Sequence, residues 1–492
     1  MPRAPPLLFE SGGGSQAGAG EGARRYAVVV DAGSTGSRVH AFAFSETKGG
    51  LELLGDTFQQ LKPGLSFFAG EPEAGAASLR PLLDAALAAV PASARARTPV
   101  EVRATAGLRL LPGEQAEELL EGARDEAGKA HVAHLELTHS KSPLSRLAPR
   151  SPPAAVREVL RSYPFTFGAG SVSVLGGADE GAFQWLTLNY LLGNLGGPGI
   201  ARTVAAIDLG GGSVQLAHAL DEGAADSAPS GYVQHLSGGG RTYQVYVHSY
   251  LGYGLMAARA AVLAQGGIKE SHPCLAERVS YTYGCAPSRG THRASRIAHR
   301  HIGAALAADV AAPAADATRG HFRAASFNGS GSAAAHPACA SLAVAALHAD
   351  KACDPAPVAQ CGFDGVWGGG GGDGAAKFYV SSYFFDRASQ AGVLPPNAIE
   401  APITPRAFKL AADTACAARN AAARVQAFPL GPEGSPDAQL FCLDLTYCHA
   451  LLTSGFGLED ETPIRLVKQV RYKGKPVEAA WPLGAAINSL GS

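Results

Sequence analysis

Two aspartates in this chain stand in the same context, which is suited to holding a metal-bound phosphate. The segment 26–44 reads YAVVVDAGSTGSRVHAFAF, in which a β-branched run ends at Asp31 and a turn of small residues follows. The segment 204–217 reads VAAIDLGGGSVQLA and repeats that order around Asp208. The backbone N–H groups of a tight turn form an anion-binding concavity, and carboxylates hold hydrated divalent cations. The repeat therefore predicts two loops and two carboxylates that grip a metal–polyphosphate.

The expected phosphate-binding residues are small, hydroxyl-bearing or basic, and an ordinary Gly/Ser hairpin turn is the alternative for each loop. They are Gly33, Ser34, Thr35, Gly36, Ser37 and Arg38 in the first loop, and Gly210, Gly211, Gly212 and Ser213 in the second. Asp31 and Asp208 are the expected metal residues, and the cation is Ca²⁺ or Mg²⁺. Two carboxylates without a histidine cluster suit Mg²⁺, which keeps several waters when few carboxylates bind it.

The elements that must position these residues are strand–turn–strand units, one in each half of the chain. A chain of 492 residues has room for two domains, and the repeat predicts two similar halves that face each other across a cleft. Each half is expected to be a mixed sheet flanked by helices. The predicted ranges are a flexible leader (1–23), domain I (24–176 plus 471–492), domain II (177–470) and a Ser/Pro/Arg-rich loop insertion (131–153).

Five segments, in order, resemble the conserved regions of one enzyme family. They are VVVDAGSTGSRVHAF, ATAGLRLL (104–111), VLGGADEGAFQWLTLNYLLGNL (174–195), AAIDLGGGSVQLA and AAWPLGAAI (479–487). The chain resembles the apyrases, or nucleoside triphosphate diphosphohydrolases, of the actin-like ATPase superfamily, and the plant-type members most closely. The resemblance implies an α/β fold of two actin-like (RNase H-like) domains with the active site in the interdomain cleft. It also implies metal-dependent hydrolysis of the terminal phosphates of nucleoside tri- and diphosphates.

The resemblance assigns a role to each of several further residues. Glu180, which the sequence places just before an apolar helix, would be the base that activates water, although by itself it reads as a helix cap. Ser213 and Gln215 match the pair that positions the water, and Thr105 matches a contact to phosphate and water. Asp31 and Asp208 would hold the metal largely through its water shell. The nucleobase platform would be Tyr383, Phe384 and Phe385, with core packing as the alternative.

Two other functional classes remain open from the sequence. An exopolyphosphatase or a sugar kinase would share both loops, and an inactive nucleotide-binding relative would share the fold. The chain lacks the phosphate-loop lysine motif G-x-x-x-x-G-K-[ST] and the motif G-x-S-x-G. Their absence argues against a P-loop NTPase and a serine hydrolase.

Composition and cysteine placement bear on partners and compartment. The formal net charge of −1 gives no support for nucleic-acid binding, and the chain has no run of about twenty apolar residues that would predict a membrane span. All eight cysteines follow residue 270, which favours a disulfide-bearing domain and, with the resemblance, the secretory pathway, although no signal peptide is visible. The resemblance pairs Cys353 with Cys361 and Cys416 with Cys442. It leaves Cys274, Cys285, Cys339 and Cys448 unassigned, and the oligomeric state is not specified.

Overall fold

The computed structural model describes most of the chain. The described residues are 23–33, 35–47, 50–68, 71–109, 152–265, 272–277, 280–283, 325–329, 335–353, 361–418, 423, 426–429, 431 and 436–491. Most of the predicted leader, Ser34, residues 131–151 of the predicted insertion, and Cys285 lie outside them.

The chain divides into two compact units, residues 1–176 with 485–492 and residues 177–484. Residues 471–484 fall in the second unit, whereas the sequence analysis assigned 471–492 to the first domain. The physical reason is local: Gln184 Nε2 and Thr187 Oγ1 in the second unit donate hydrogen bonds to the carbonyls of Ala479 and Ala480.

The first unit is built on a five-stranded mixed sheet in the order β3-β2-β1-β4-β5. Its strands are β1 (Arg24–Ala32), β2 (Ser37–Thr47), β3 (Gly50–Leu61), β4 (Val100–Ala104) and β5 (Val172–Val174). Its helices are α1 (Pro72–Ser78), α2 (Arg80–Ala89), α3 (Ala92–Arg95), α4 (Ala106–Arg109) and α5 (Pro152–Arg161), with 3₁₀ turns at Leu65–Phe68 and Ala169–Ser171. β1 pairs antiparallel with β2 and parallel with β4. Val28, Val29 and Val30 are buried on both faces of this strand, as the sequence predicts for a core strand.

The second unit is built on a seven-stranded mixed sheet in the order β14-β15-β13-β6-β7-β9-β8. These strands are β6 (Ala205–Leu209), β7 (Ser213–Ala219), β8 (Val233–Gly238), β9 (Arg241–Leu251), β13 (Phe378–Ser382), β14 (Glu400–Ile403) and β15 (Ile464–Val467). Two smaller sheets hold β10 (His272–Glu277), β11 (Ser280–Tyr283) and β12 (Ala325–Gly329), and β16 (Gln469–Tyr472) with β17 (Lys475–Glu478).

The helices of the second unit cover its large sheet and form the rest of its core. They are α6 (Gly177–Leu191), α7 (Glu222–Asp226), α8 (Leu255–Gln265), α9 (Ala335–Ala345), α10 (Tyr383–Gln390), α11 (Pro405–Ala417) and α12 (Phe441–Ala450). Helix α13 (Trp481–Gly491) contains the division between the units. Shorter turns lie at Phe363–Gly365, Asp373–Ala375 and Pro436–Leu440, and a π-helical turn lies at Leu451–Gly455.

The two large sheets repeat one strand order. In the first unit β3-β2-β1 are antiparallel and β1-β4-β5 are parallel. In the second unit β9-β7-β6 are antiparallel and β6-β13-β15 are parallel. The strand that carries Asp31 therefore corresponds to the strand that carries Asp208, and β4 corresponds to β13.

Among the described residues, the second unit holds three disulfides. Cys353 bonds to Cys361 and Cys416 to Cys442, as the resemblance implies. Cys274 bonds to Cys339, a pair that the sequence analysis left unassigned. Cys448 is buried and carries a free thiol, and burial raises its pKa well above the usual range.

Candidate active site

Each predicted phosphate loop is a two-residue hairpin turn closed by the same hydrogen bond. The N–H of Gly33 donates to the carbonyl of Gly36 (3.1 Å), and the N–H of Gly210 donates to the carbonyl of Ser213 (3.0 Å). A Cβ on Gly36 would lie 2.9 Å from the carbonyl oxygen of Leu61. The duplication seen in the sequence is therefore a duplication of backbone geometry, and close packing of the first loop requires a glycine.

In the first unit the loop residues surround a carboxylate that is already paired. Asp31, at the penultimate position of β1, accepts a hydrogen bond at Oδ2 from Arg38 Nη1 (3.1 Å), which lies opposite it on β2. Thr105 follows directly after β4, whose Ala104 is the register partner of Ala32. Thr35 and Arg38 are partly exposed, and Ser37 is buried. The structure thus brings Asp31, Arg38 and Thr105 to the same edge of the first sheet.

In the second unit a row of polar residues crosses four adjacent strands. Ser381 lies opposite Asp208, Asp208 opposite Gln215, and Gln215 opposite Ser249. Register partners present their side chains on one face of a sheet. Ser381 Oγ donates to Asp208 Oδ1 (3.1 Å), and Gln215 Nε2 donates to Ser249 Oγ (2.9 Å). The row places Asp208 and Gln215 beside each other on the face that helix α6 covers.

Helix α6 brings Glu180 to this row. The sequence analysis was wrong to place Glu180 before the helix: α6 begins at Gly177, so Glu180 lies in its first turn, where the helix dipole favours a negative charge. Gln215 Nε2 contacts Glu180 Oε2 at 3.4 Å and Ser213 Oγ at 2.7 Å. A Cβ on Gly181 would lie 3.1 Å from Gln215 Cβ, so this glycine lets the helix approach the strand. The structure therefore brings Glu180, Ser213 and Gln215 together.

The hydrogen-bond capacity of Gln215 bears on what this group can do. Its amide nitrogen has two protons and faces three oxygens, on Glu180, Ser213 and Ser249. Only two of these contacts can be full hydrogen bonds at one time, and the contact to Glu180 is the longest. A carboxylate, a hydroxyl and an amide arranged in this way can hold and polarise a water molecule.

The carbonyl groups of the second loop are fixed from behind by helix α8. The N–H of Leu255 donates to the carbonyl of Gly210 (2.9 Å), and the N–H groups of Met256 and Ala257 donate to that of Gly211 (2.9 and 3.1 Å). Gly254 precedes the helix, and a Cβ there would collide with the backbone of Gly211, Gly212 and Ser213. The first turn of α8 therefore holds the backbone of this loop in place.

The aromatic residues predicted as a nucleobase platform begin helix α10 and separate into two environments. Phe384 and Phe385 are buried in the core, where Phe384 packs against Phe408 with ring centroids 5.8 Å apart. Tyr383 is half-buried and lies beneath the guanidinium of Arg387, 5.5 Å from its ring centroid. Of these three rings only Tyr383 presents a face near the protein surface.

Sequence reasoning missed four residues that hold this site together: Gln184, Ser381, Ser382 and Gly254. Each acts through a contact between distant parts of the chain. All four lie in segments that resemble family segments: Gln184 in VLGGADEGAFQWLTLNYLLGNL, the two serines in SSYFFDRASQAG and Gly254 in VHSYLGYGLMAARAAVL. That resemblance was the one available signal.

The repeated sheet order, with an aspartate and a Gly/Ser hairpin turn at the end of a buried strand in each copy, defines an actin-like phosphotransferase or phosphohydrolase. A solved nucleoside triphosphate hydrolase from Neospora caninum shows the same fold, with a TM-score of 0.61 and 16% identity over 94% of this chain and 92% of that one. The chain belongs to the GDA1/CD39 (nucleoside phosphatase) family, whose model matches residues 19–140 and 153–492. It is a nucleotide phosphohydrolase.

Curated relatives match nearly the whole chain. "Probable apyrase 1" of Oryza sativa subsp. japonica is 39% identical over 100% of this chain and 90% of its own length. "Apyrase 1" of Arabidopsis thaliana is 38% identical over 96% and 86%. "Guanosine-diphosphatase" of Schizosaccharomyces pombe is 32% identical over 95% and 74%. The break in the family match at 141–152 lies within the segment predicted as an insertion.

Apyrases of this family depend on a divalent cation, and the donor chemistry here fits one that keeps its water. No group of three or more His, Cys, Asp or Glu side chains that could hold a metal occurs among the described residues. Asp31 and Asp208 each lie at the end of a strand and are each 8% exposed. A carboxylate with hydroxyl neighbours, as at Asp208, suits a hard, oxygen-binding cation that is held partly through waters and substrate phosphates, whereas Asp31 also pairs with Arg38.

Proposed function

We propose that this protein is an apyrase that hydrolyses the terminal phosphate of nucleoside tri- and diphosphates, with Glu180 as the base. The observation that carries the proposal is the cluster of Glu180, Gln215 and Ser213 on one face of the second sheet. Ser213 and Gln215 hold a water, and Glu180 takes its proton. The water oxygen attacks the terminal phosphorus, the bond from phosphorus to the leaving oxygen breaks, and inorganic phosphate and the shortened nucleotide depart.

The remaining site residues bind the nucleotide in this proposal. The loop residues Thr35, Gly36, Ser37, Gly211 and Gly212 donate to phosphate oxygens, whereas Gly33 and Gly210 shape the loops, because their N–H groups close the two hairpin turns. Arg38 and Thr105 add side-chain donors. Tyr383 stacks against the nucleobase, and such stacking tolerates any of the bases. Asp31 and Asp208 would hold Ca²⁺ or Mg²⁺, and the cation would neutralise charge on the phosphates.

The disulfides support a place in the secretory pathway, since such bonds persist in oxidising compartments. Two relatives, from Homo sapiens and Gallus gallus, are ectonucleoside triphosphate diphosphohydrolases by name. Among the described helices, none is both long and apolar enough to cross a membrane.

The test is phosphate release from ATP, ADP, AMP and polyphosphate, with Mg²⁺, with Ca²⁺ and with chelator. Metal-dependent release from ATP or ADP but not AMP supports an apyrase, and the ATP/ADP ratio gives its substrate preference. Release from polyphosphate alone would replace the proposal with an exopolyphosphatase, and no release would indicate an inactive relative.

The role of Glu180 is tested by the pair Glu180→Gln and Asp179→Asn, which remove adjacent carboxylates. Asp179 contacts Gln234 at 3.3 Å on the outside of the site. Loss of a general base lowers kcat by about 10²- to 10⁴-fold, so Glu180→Gln should show that loss and Asp179→Asn should not. Undiminished turnover in Glu180→Gln would exclude this mechanism.

A further inference from the structure

The backbone of Ser382 is strained at the point where strand β13 meets helix α10. Its φ is +61° and its ψ is −124°, a conformation that side-chain-bearing residues rarely adopt. Such outliers persist where the surrounding structure imposes them, and they concentrate at functional sites. Ser382 is exposed, so core packing does not account for its conformation.

The strain turns the Ser382 hydroxyl toward Asp208. Successive side chains of a regular strand point to opposite faces, so Ser381 and Ser382 should not reach the same atom. In this structure both do: the hydroxyl of Ser382 and that of Ser381 donate to Asp208 Oδ1. The unusual backbone therefore places a second hydroxyl on one carboxylate oxygen.

The Ser381 hydroxyl is itself oriented by a buried amide. Gln184 Nε2 donates to Ser381 Oγ (3.2 Å) and to the carbonyl of Ala479 (2.8 Å). Because Ser381 Oγ accepts from Gln184, its single proton is left for an acceptor, and Asp208 Oδ1 (3.1 Å) lies closer than the carbonyl of Ile207 (3.3 Å). The orientation of the Asp208 carboxylate therefore depends on Gln184 of α6, on Ser381 of β13 and on the carbonyl of Ala479.

The internal repeat does not place hydroxyls at the corresponding positions of the first unit. β4 pairs with β1 as β13 pairs with β6, and Arg103 and Ala104 lie opposite Asp31 and Ala32 where Ser381 and Ser382 lie opposite Asp208 and Leu209. The pair of hydroxyls beside the aspartate is therefore a feature of the second unit.

We propose that Ser382 is a positioning residue for the divalent cation: its hydroxyl, with that of Ser381, fixes the carboxylate of Asp208 in the orientation that binds the hydrated metal. The proposal rests on the proposed function, in which Asp208 is a metal residue. Residues that hydrogen-bond to a metal-binding carboxylate change metal affinity by about 10- to 100-fold when they are removed. Loss of the Ser382 hydroxyl should thus raise the cation concentration that the enzyme requires.

The experiment compares Ser382→Gly, Ser382→Ala, Asp208→Asn and Ser341→Ala in the full chain. Ser382→Gly removes the hydroxyl and the strain, whereas Ser382→Ala removes the hydroxyl and keeps a Cβ at positive φ. Ser341 lies on α9, is exposed and donates only to the carbonyl of Pro337 (3.0 Å), so it serves as the matched serine control. Mn²⁺ binding is titrated by the EPR signal of the free ion, and the Mg²⁺ dependence of ATP hydrolysis is measured alongside.

We expect both Ser382 variants to bind Mn²⁺ about tenfold or more weakly and to need correspondingly more Mg²⁺. Because glycine relieves the strain, Ser382→Gly should unfold at a higher temperature than Ser382→Ala while showing the same loss of metal binding. If Ser382 had only a structural role, the Mn²⁺ affinity of each variant would fall in step with its unfolding temperature.

The outcomes separate the two proposals. Unchanged Mn²⁺ binding in Asp208→Asn would overturn the assignment of Asp208 and, with it, this inference. Weakened binding in Asp208→Asn together with wild-type binding in Ser382→Gly would overturn the role of Ser382 alone.

Discussion

At the scale of single residues, the candidate chemistry depends on one amide. Gln215 is buried and contacts Ser213 on its own strand, Ser249 on the next strand and Glu180 on the helix above. Because β7 is central in the sheet, backbone pairing on both sides fixes the position from which this side chain projects. A buried network of this kind orients each member more strictly than any single contact could.

We predict that Gln215→Ala lowers kcat for ATP by about 10²-fold or more, because a water beside Glu180 loses its orienting donor. KM should change little, since the amide contacts the water rather than the nucleotide. Ser249→Ala is the control: it removes only the contact farthest from Glu180 and should cost a few-fold at most. A KM effect with unchanged kcat in Gln215→Ala would contradict the role in water positioning.

The residues that the sequence could identify are those whose role is visible locally. Asp31 and Asp208 follow a buried strand and precede a Gly/Ser turn, so the chain alone marks them. Ser382 carries no such local mark, because its partner Asp208 is 174 positions away. For Phe384 and Phe385 the sequence left core packing and a nucleobase platform both open, and the structure buries both rings in the core.

At the scale of elements, helix α8 holds the second loop and is itself held by a buried ion-pair network. Asp444 on α12 pairs with Arg259 on α8 (2.6 Å) and with Arg387 on α10 (2.9 Å), and its side chain is fully buried. The network joins the helix that supports the loop to the helix that follows Ser382. The carboxylate of Asp444 therefore fixes the positions of both α8 and α10.

Replacing Gly254 with alanine tests whether the first turn of α8 holds the second loop in place. The new Cβ would meet the backbone of Gly211, Gly212 and Ser213, which has no flexible end that could move aside. We expect Gly254→Ala to lower kcat at least about 100-fold by displacing Ser213 and the loop N–H groups. Gly223→Ala is the matched control, because its Cβ would lie at an ordinary 3.6 Å from Asp221. Full activity in Gly254→Ala would show that the loop is not held in this way.

Replacing Asp444 with asparagine tests the network. The change leaves two buried guanidinium groups without a counter-charge, and breaking a buried pair in this way costs about 3–5 kcal/mol of unfolding free energy. Urea unfolding followed by circular dichroism measures the loss. Glu461→Gln, which breaks the exposed pair with Arg406, should cost less than about 1 kcal/mol. Equal effects of the two substitutions would contradict this account.

At the scale of the whole molecule, the duplication extends beyond the two segments that reveal it in the sequence. Two short segments with one aspartate each reveal the duplication, and the structure extends it to five strands in each large sheet. The additional strands β8, β14 and the small sheets belong to the second unit and have no counterpart in the five-stranded sheet. They could not be predicted from the repeat because insertions leave no trace in the copy that lacks them.

In the second unit, the pKa values of the buried His218 and the half-buried His248 lead us to expect that acid destabilises the protein. Burial lowers the pKa of His218 to about 4, since its surroundings are the ring of Tyr246 and the backbone of Ala219 and Gly368, which are all neutral. Burial likewise lowers the pKa of His248 to about 4, although Asp364 opposes that shift. In the unfolded chain both imidazoles titrate near the ordinary value of 6.5.

Between pH 6.5 and pH 4 the unfolded chain therefore binds protons that the folded chain does not. Stability rises with pH through this window and is lost as the pH falls through it, by up to about 3 kcal/mol for His218 alone. The effect is separate from that of Asp460, whose pKa His449 lowers: that contribution is lost only as the pH falls below about 4.

We predict that the free energy of unfolding of wild-type protein, measured with urea at fixed pH values, decreases steadily from pH 6.5 to pH 4.5. His218→Phe keeps a ring beside Tyr246 but cannot take up a proton. It should therefore reduce the slope by up to about 1.4 kcal/mol per pH unit. His235→Gln, at an exposed position on β8, is the control and should leave the slope as it is. An unchanged slope in His218→Phe would mean that this imidazole is already protonated, or reached by water, in the folded protein.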